Sequence, residues 1–253
     1  MVKLKTLTEI EKMRQAGEIA AAARALAGEM VTPGVTTHEI DRAVHAFILS
    51  RHATPTFLHY CGYPASVCVS VNDEVIHGIP GKRKLEEGDV VSIDVGATYK
   101  GFVGDCAATF IAGDGIDEAK RLIAVTRQSF FEGIANATPG HRVGDIGAAV
   151  QRYVEENGFS VVRDYVGHGV GAVMHEDPEV PNYATGRPGP RLYPGMTLAV
   201  EPMVNAGTWQ VRVLRDGWTV KTADGSLSAH YENSILITDG KPEILTAVGG
   251  KVL

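Results

Sequence analysis

The chain has 253 residues, 44% hydrophobic and 21% charged. That composition is globular rather than disordered, and the length suits one large domain or two small ones. A net charge of −6 argues against a nucleic-acid surface, which carries a basic patch; Lys82-Arg83-Lys84 is the one basic cluster of note and reads as a solvated loop.

Taken in chain order, Thr8 and Glu11 form a capping box ahead of the apolar stripe Ile10, Met13, Gly17, Ala20, Ala23, Ala27 and Met30, which predicts a first helix. The apolar run 19–23 within it is too short for a signal-peptide core or a membrane span. Three cysteines, Cys61, Cys68 and Cys106, lack CxxC spacing, so a reducing, cytoplasmic setting is expected. Thr36 and Glu39 cap a second helix bearing Ile40, Ala43, Val44, Phe47 and Ile48 on one face. Residues 90–99 and 102–111 flank Lys100-Gly101 and read as a β-hairpin. A third helix is predicted over 117–135. A fourth carries Ile146, Val150, Tyr153 and Val154 on one face and stops at Gly158. Residues 228–238 read as a strand.

A long repeat underlies these elements. Thr32-Pro33-Gly34 recurs 106 residues later as Thr138-Pro139-Gly140, and at that offset Glu39, Ile40, Ala43 and Val44 match Asp145, Ile146, Ala149 and Val150. The stretch from Gly88 to Asp94 matches that from Gly195 to Glu201 at an offset of 107. Each is a glycine turn, a strand, then a carboxylate. The period is too long for a solenoid. It predicts a pseudo-twofold α+β domain of two helix–helix–strand halves, about 1–112 and 113–253.

A carboxylate on an apolar strand is costly unless paired, protonated or metal-bound. If the hairpin turn centres on Tyr99-Lys100, Asp94 and Asp105 lie directly opposite one another with Cβ atoms about 5 Å apart. A slip of one residue would put them on opposite faces. Two acids that close repel unless a proton or cation lies between them. The second half supplies Glu201 and Glu232 to what reads as the same kind of hairpin face. His168, in Gly167-His168-Gly169, adds an uncrowded imidazole. Taken singly, each has an ordinary alternative: a turn residue, a local cap, an ion-pair partner, a satisfied core histidine. Together, two Asp, two Glu and one His form an oxygen-rich set with one nitrogen, suited to Mn, Fe, Co or Zn and large enough for two ions.

Further motifs extend the pattern: NDEVIHGIP over 72–80, SIDVG over 92–96, Gly104-Asp105, MHEDP over 174–178, Val200-Glu201-Pro202 and Tyr231-Glu232-Asn233. Their order and spacing resemble the type I methionine aminopeptidases, of the pita-bread metallopeptidase fold, over nearly the whole chain. The resemblance implies that Asp94 holds one metal, that Asp105 and Glu232 bridge two, and that His168 and Glu201 complete the other. It implies substrate contacts from His77 and His175, and a methionine pocket lined by Tyr60, Tyr63, Cys68 and Trp218. Met174 stands where many members have Phe, and His59 and Cys61 fall near the pocket entry. A monovalent cation, Na or K, is implied near Asn72 and Ser228. The implied partners are N-terminal Met peptides, nascent chains and the ribosome, with a monomer expected. The thirty residues between Glu201 and Glu232 leave no room for the long insertion of the type II enzymes.

The implied reaction is hydrolysis of the bond after the initiator methionine, with a small second residue preferred. Glu201 would move the proton, His175 would face the developing oxyanion, and His77 would orient the scissile amide. The alternatives are a prolidase- or aminopeptidase P-like exopeptidase, whose relatives carry a large extra N-terminal domain, and a non-catalytic binding protein on the same fold.

Overall fold

A computed structural model describes residues 2–253. Four α-helices form among the described residues: α1 (Leu7–Glu29), α2 (Thr37–Ser50), α3 (Asp117–Ile134) and α4 (Val143–Glu156). The cap of α1 lies two residues before the expected one. Thr6 Oγ1 accepts from the Glu9 backbone N–H at 3.3 Å, and the Glu9 carboxylate accepts from the Thr6 N–H at 2.8 Å. The sequence Thr6-Leu7-Thr8-Glu9-Ile10-Glu11 offers two overlapping boxes, and the outer one prevails. The box at Thr36 and Glu39 forms as expected.

The strands Val90–Tyr99 and Phe102–Ile111 form the hairpin, joined by Lys100 and Gly101 at φ 49° and 77°. Two successive positive-φ residues make the two-residue turn whose twist suits a hairpin. They also fix the register: Asp94 pairs with Ala107, and Asp105 with Gly96. Asp94 and Asp105 are therefore diagonal rather than directly opposite. The pairing has moved by two residues, not one, so both acids stay on one face.

The hairpin lies in a nine-stranded sheet whose pairings are all antiparallel. Phe102–Ile111 meets Glu232–Leu236 at the centre, through the pairs Ala107–Glu232 and Cys106–Asn233. Beyond that seam follow Thr197–Val200, Gly167–Gly169 and Glu176–Val180. The predicted strand over 228–238 breaks at Tyr231. Ser228–His230 pairs with Met203–Asn205 in a separate small sheet, and Glu232–Leu236 enters the main one.

The repeat is visible in the backbone. Gly34 and Gly140 share φ values of 92° and 98°, and Gly88 and Gly195 share 85° and 90°. These turns need the left-handed region that glycine enters freely. In the first half α1 and α2 pack on the hairpin through Ala20, Ala23, Ile40, Val44, Val91 and Ile93. In the second half α3 packs through Phe130 and Ile134 and α4 through Val143 and Ile146, against Leu198, Val200 and Ile235. The contact of α1 is unusually close at one point: a Cβ on Gly104 would collide with the Gly17 backbone. Small residues on both sides thus let the helix lie directly behind Asp105.

Candidate metal centre

The two halves bring their carboxylates together at the seam. Asp94, Asp105, His168, Glu201 and Glu232 all line one cavity of about 290 Å³, with His77, His175, Tyr60, Tyr63, Cys68 and Trp218. Met174 and Cys61 also face it. His59 is not among the lining residues; it takes a left-handed conformation at φ 68° in the neighbouring turn.

Asp105 arrives on the hairpin, and its backbone is tied across the seam by Ser234. That hydroxyl accepts from the Asp105 N–H at 3.1 Å and donates to the Asp105 carbonyl at 2.9 Å. Glu201 follows the last residue of Thr197–Val200, and Glu232 opens the strand paired with it. This second pair is not a hairpin. The thirty intervening residues include Met203–Asn205, Val211–Val213, Val220–Thr222 and Ser228–His230. The glycines flanking His168 serve the neighbouring strands: a Cβ on Gly167 would strike the Ala199 carbonyl, and one on Gly169 the Asp177 carbonyl.

Three features test whether these residues fit divalent ions. First, Asp94 Oδ1, Asp105 Oδ1 and Glu232 Oε1 are buried without any hydrogen-bond partner, a state that needs compensation. Second, His168 Nδ1 lies 2.8 Å from the Gly169 carbonyl, which only a protonated nitrogen can donate to. Burial lowers the ring pKa to about 4, so Nε2 carries a lone pair. It faces Asp105 Oδ2 and Glu201 Oε1, each at 3.6 Å. A lone pair opposed to two carboxylates is repulsive unless a cation lies between them, and such hydrogen-bonded imidazoles are typical metal ligands. Third, burial pushes Asp94 up to about 7 against the pull of Arg24. Burial and then the neighbouring acids raise Asp105, Glu201 and Glu232 well above the usual carboxylate range. Cations relieve that congestion. The donor set therefore fits divalent ions. Donor atoms converge within 4.8 Å in two groups that share Glu232: Asp105–His168–Glu232 and Glu201–His230–Glu232. Asp94 lines the same cavity but belongs to neither group.

Two residues without an expected role stand out. Arg24 is fully buried in α1. It donates to the carbonyls of Ala107 and Glu232 at 3.1 and 3.0 Å and to Asn233 Oδ1 at 3.1 Å, stitching the seam beneath the acids. Its signal was an arginine in a run of alanines. His230 is the other; it precedes Glu232 by two residues, the spacing that puts alternate strand residues on one face.

The cavity wall opposite the acids is aromatic and held by its own contacts. Tyr63 meets Trp218 edge-on at 5.2 Å, and its hydroxyl donates to the Gly78 carbonyl at 2.9 Å. Tyr60 Oη lies 2.7 Å from His175 Nδ1, and the His168 and His175 rings are 4.3 Å apart. His77 packs edge-on to Tyr165 at 5.9 Å, and burial lowers its pKa to about 4.

A buried carboxylate–imidazole centre beside an apolar pocket defines the chain as a metal-binding hydrolase of the pita-bread fold. The model of metallopeptidase family M24 matches residues 11–239, and the chain belongs to that family, among its methionine aminopeptidases. It is 53% identical to the methionine aminopeptidase of Clostridium perfringens, over 98% of this chain and 100% of that one. The crystal structure of the Thermotoga maritima methionine aminopeptidase superposes with a TM-score of 0.95, at 47% identity, covering 97% of this chain and 99% of that one. The prolidase of Pyrococcus furiosus shares the fold at a TM-score of 0.76 and 23% identity, and this chain covers 65% of it.

Proposed function

We propose that the protein removes N-terminal methionine by metal-dependent hydrolysis, acting on peptides and nascent chains with a small second residue. The observation that carries this reading is the convergence of five ligand-type side chains and a pocket of aromatic rings and sulfur in one cavity. Methionine is long, apolar and polarisable, and Tyr60, Tyr63, Trp218 and the Cys68 sulfur match it.

Asp94, Asp105, His168, Glu201 and Glu232 would hold two divalent ions, of Mn, Fe, Co or Zn. When bound, such ions supply Lewis acidity, activating water and polarising the scissile carbonyl. Four acids need more countercharge than Arg24 alone provides. The resemblance also implies a monovalent cation, Na or K, near Asn72 and Ser228, whose backbones meet where the Ser228 N–H donates to the Asn72 carbonyl at 2.9 Å.

Glu201 takes the proton of the attacking water and passes it to the leaving amine. A Tyr60 hydroxyl that donates to His175 Nδ1 leaves the ring proton on Nε2, free to donate to the oxyanion of the tetrahedral state. His77 bonds the scissile amide and orients it. The chain works as one catalytic domain with internal halves of about 1–112 and 113–253, as a monomer, and nascent substrate is met at the ribosome. No helix among the described residues is long and apolar enough to cross a membrane.

The test is a comparison of Met-Ala-Ser with Leu-Ala-Ser, using metal-loaded protein. Met-Ala-Ser is expected to be favoured at least about 10-fold in kcat/KM, the scale of discrimination by an apolar pocket. Equal rates on both, or none on the first, would reject the reading.

A further inference from the structure

His230 ends the strand Ser228–His230 and is 1% exposed. Its backbone is satisfied: the N–H donates to Thr109 Oγ1 at 2.9 Å, and the carbonyl accepts from the same hydroxyl at 2.9 Å. Its ring is not, because neither Nδ1 nor Nε2 has a hydrogen-bond partner. A neutral imidazole carries one donor and one acceptor, and leaving both unmet in the interior is rare.

The ring points at the carboxylate cluster. His230 Nε2 lies 3.9 Å from Glu201 Oε2 and 4.0 Å from Glu232 Oε2. Those gaps are too long for hydrogen bonds. They fall within the roughly 3–4 Å that separates two donors sharing one ion at metal–ligand distances of about 2.1 Å. His168 stands in the same relation on the other side, with Nε2 3.6 Å from Glu201 Oε1 and from Asp105 Oδ2. Glu201 is thus flanked by two imidazoles, one facing each oxygen.

We infer that His230 is a sixth donor of the metal centre, giving the Glu201–Glu232 side an imidazole of its own. The inference rests on the reading of this cavity as a divalent metal centre and adds a ligand to it. It replaces a one-nitrogen set with a two-nitrogen one, Glu201 lying between the two imidazoles. A second nitrogen moves the preference of that side away from magnesium- and manganese-like ions and toward cobalt, nickel and zinc.

The experiment uses the intact chain with ¹⁵N-labelled histidine, saturated with ¹¹³Cd, and reads one-bond ¹⁵N–¹¹³Cd couplings by NMR. Two coupled rings are expected in the wild type, with one coupling lost in His230→Gln and the other in His168→Gln. In His230→Gln one cadmium-binding step seen by calorimetry should also weaken by about 10-fold or more, and the other should hold. A wild-type spectrum with a single coupled ring overturns the inference while leaving the metal centre in place. A second coupling that survives His230→Gln overturns it too, since another histidine then supplies the bond. No coupled ring at all would overturn the metal reading itself. The wild-type count stands whether or not either variant folds.

Discussion

The two halves deliver the same chemistry by different means. In the first, Asp94 and Asp105 ride on ten-residue strands closed by a two-residue turn, so their spacing is a local property of the chain. In the second, Glu201 and Glu232 meet through a four-pair ladder between Thr197–Val200 and Glu232–Leu236. The segment between them supplies Trp218 to the cavity wall and sets His230 beside the two acids. The first pair is a rigid diagonal that any folded hairpin would keep. The second depends on that long-range ladder, and it holds the acid assigned to proton transfer. The locally coded pair can supply fixed charge, while the pair assembled by tertiary contacts holds the acid assigned to proton transfer; both halves line the substrate pocket.

The largest expected effect tests that division directly. Glu201→Gln should keep the fold and lower kcat by about 10²–10⁴-fold, the usual range for loss of an acid–base group. Circular dichroism and steady-state kinetics on Met-Ala-Ser check it. Wild-type turnover would remove Glu201 from proton transfer and end the asymmetry between the pairs. Strong chelation should abolish activity outright, with Mn, Co or Fe restoring it; activity indifferent to chelator would refute metal dependence for both halves.

The next effect concerns the first half alone. Gly104→Ala places a methyl against the Gly17 backbone, and neither chain can yield without moving α1 off the hairpin. A loss of about 1–3 kcal/mol is expected, or roughly 2–4 °C of Tm per kcal/mol for a chain of this size. Calorimetry of the variant checks it, and an unchanged Tm would show that the hairpin does not need α1 at that distance.

This contrast also explains what could be read from the sequence. The helices and the hairpin were legible because their signals are local: capping boxes, apolar spacing, and a Lys-Gly turn. The five candidate ligands could be picked out because acids on apolar strands are anomalous, and all five line the one cavity. The hairpin register was read two residues off, since only the positive φ of both Lys100 and Gly101 fixes the turn centre. The second pair read as a hairpin because the sequence does not announce that the strand ends at Val200 and that the chain leaves the sheet before Glu232. Arg24 went without a role for the same reason, since most of its partners lie across the seam; His230 did because its ring meets Glu201 only once the fold brings the two together.

A smaller effect probes the substrate side. Tyr60→Phe removes the hydroxyl that lies 2.7 Å from His175 Nδ1 while keeping the aromatic wall. One hydrogen bond of net worth about 1 kcal/mol corresponds to a roughly 5–10-fold fall in kcat, with KM for Met-Ala-Ser little changed. A rise in KM with kcat intact would instead assign Tyr60 to the methionine pocket alone.

The smallest effect separates the acids from the histidines. In metal-free protein, burial holds Asp94 near 7 and keeps Asp105, Glu201 and Glu232 above their usual range. It holds His168 and His77 near 4 and His230 near 3. An acid with a raised pKa binds more protons folded than unfolded, so stability falls as pH rises between its two values. A histidine with a lowered pKa does the reverse, and stability rises with pH up to about 6.5. The trends oppose each other below that point. At pH 6.5 an unfolded histidine is still half protonated, so the histidines keep opposing the carboxylates up to about pH 7.5. Between about pH 6.5 and 8 metal-free protein should therefore lose about 1 kcal/mol through Asp94, a fall of roughly 2–4 °C in Tm relative to Asp94→Asn, which lacks that titration. Divalent ions bind the deprotonated acids and should reverse the slope. Scanning calorimetry of chelated and reloaded samples checks both signs. A chelated Tm that does not fall relative to Asp94→Asn across this interval would mean that Asp94 is already charged in the folded metal-free chain, and that the site tolerates that charge without cations.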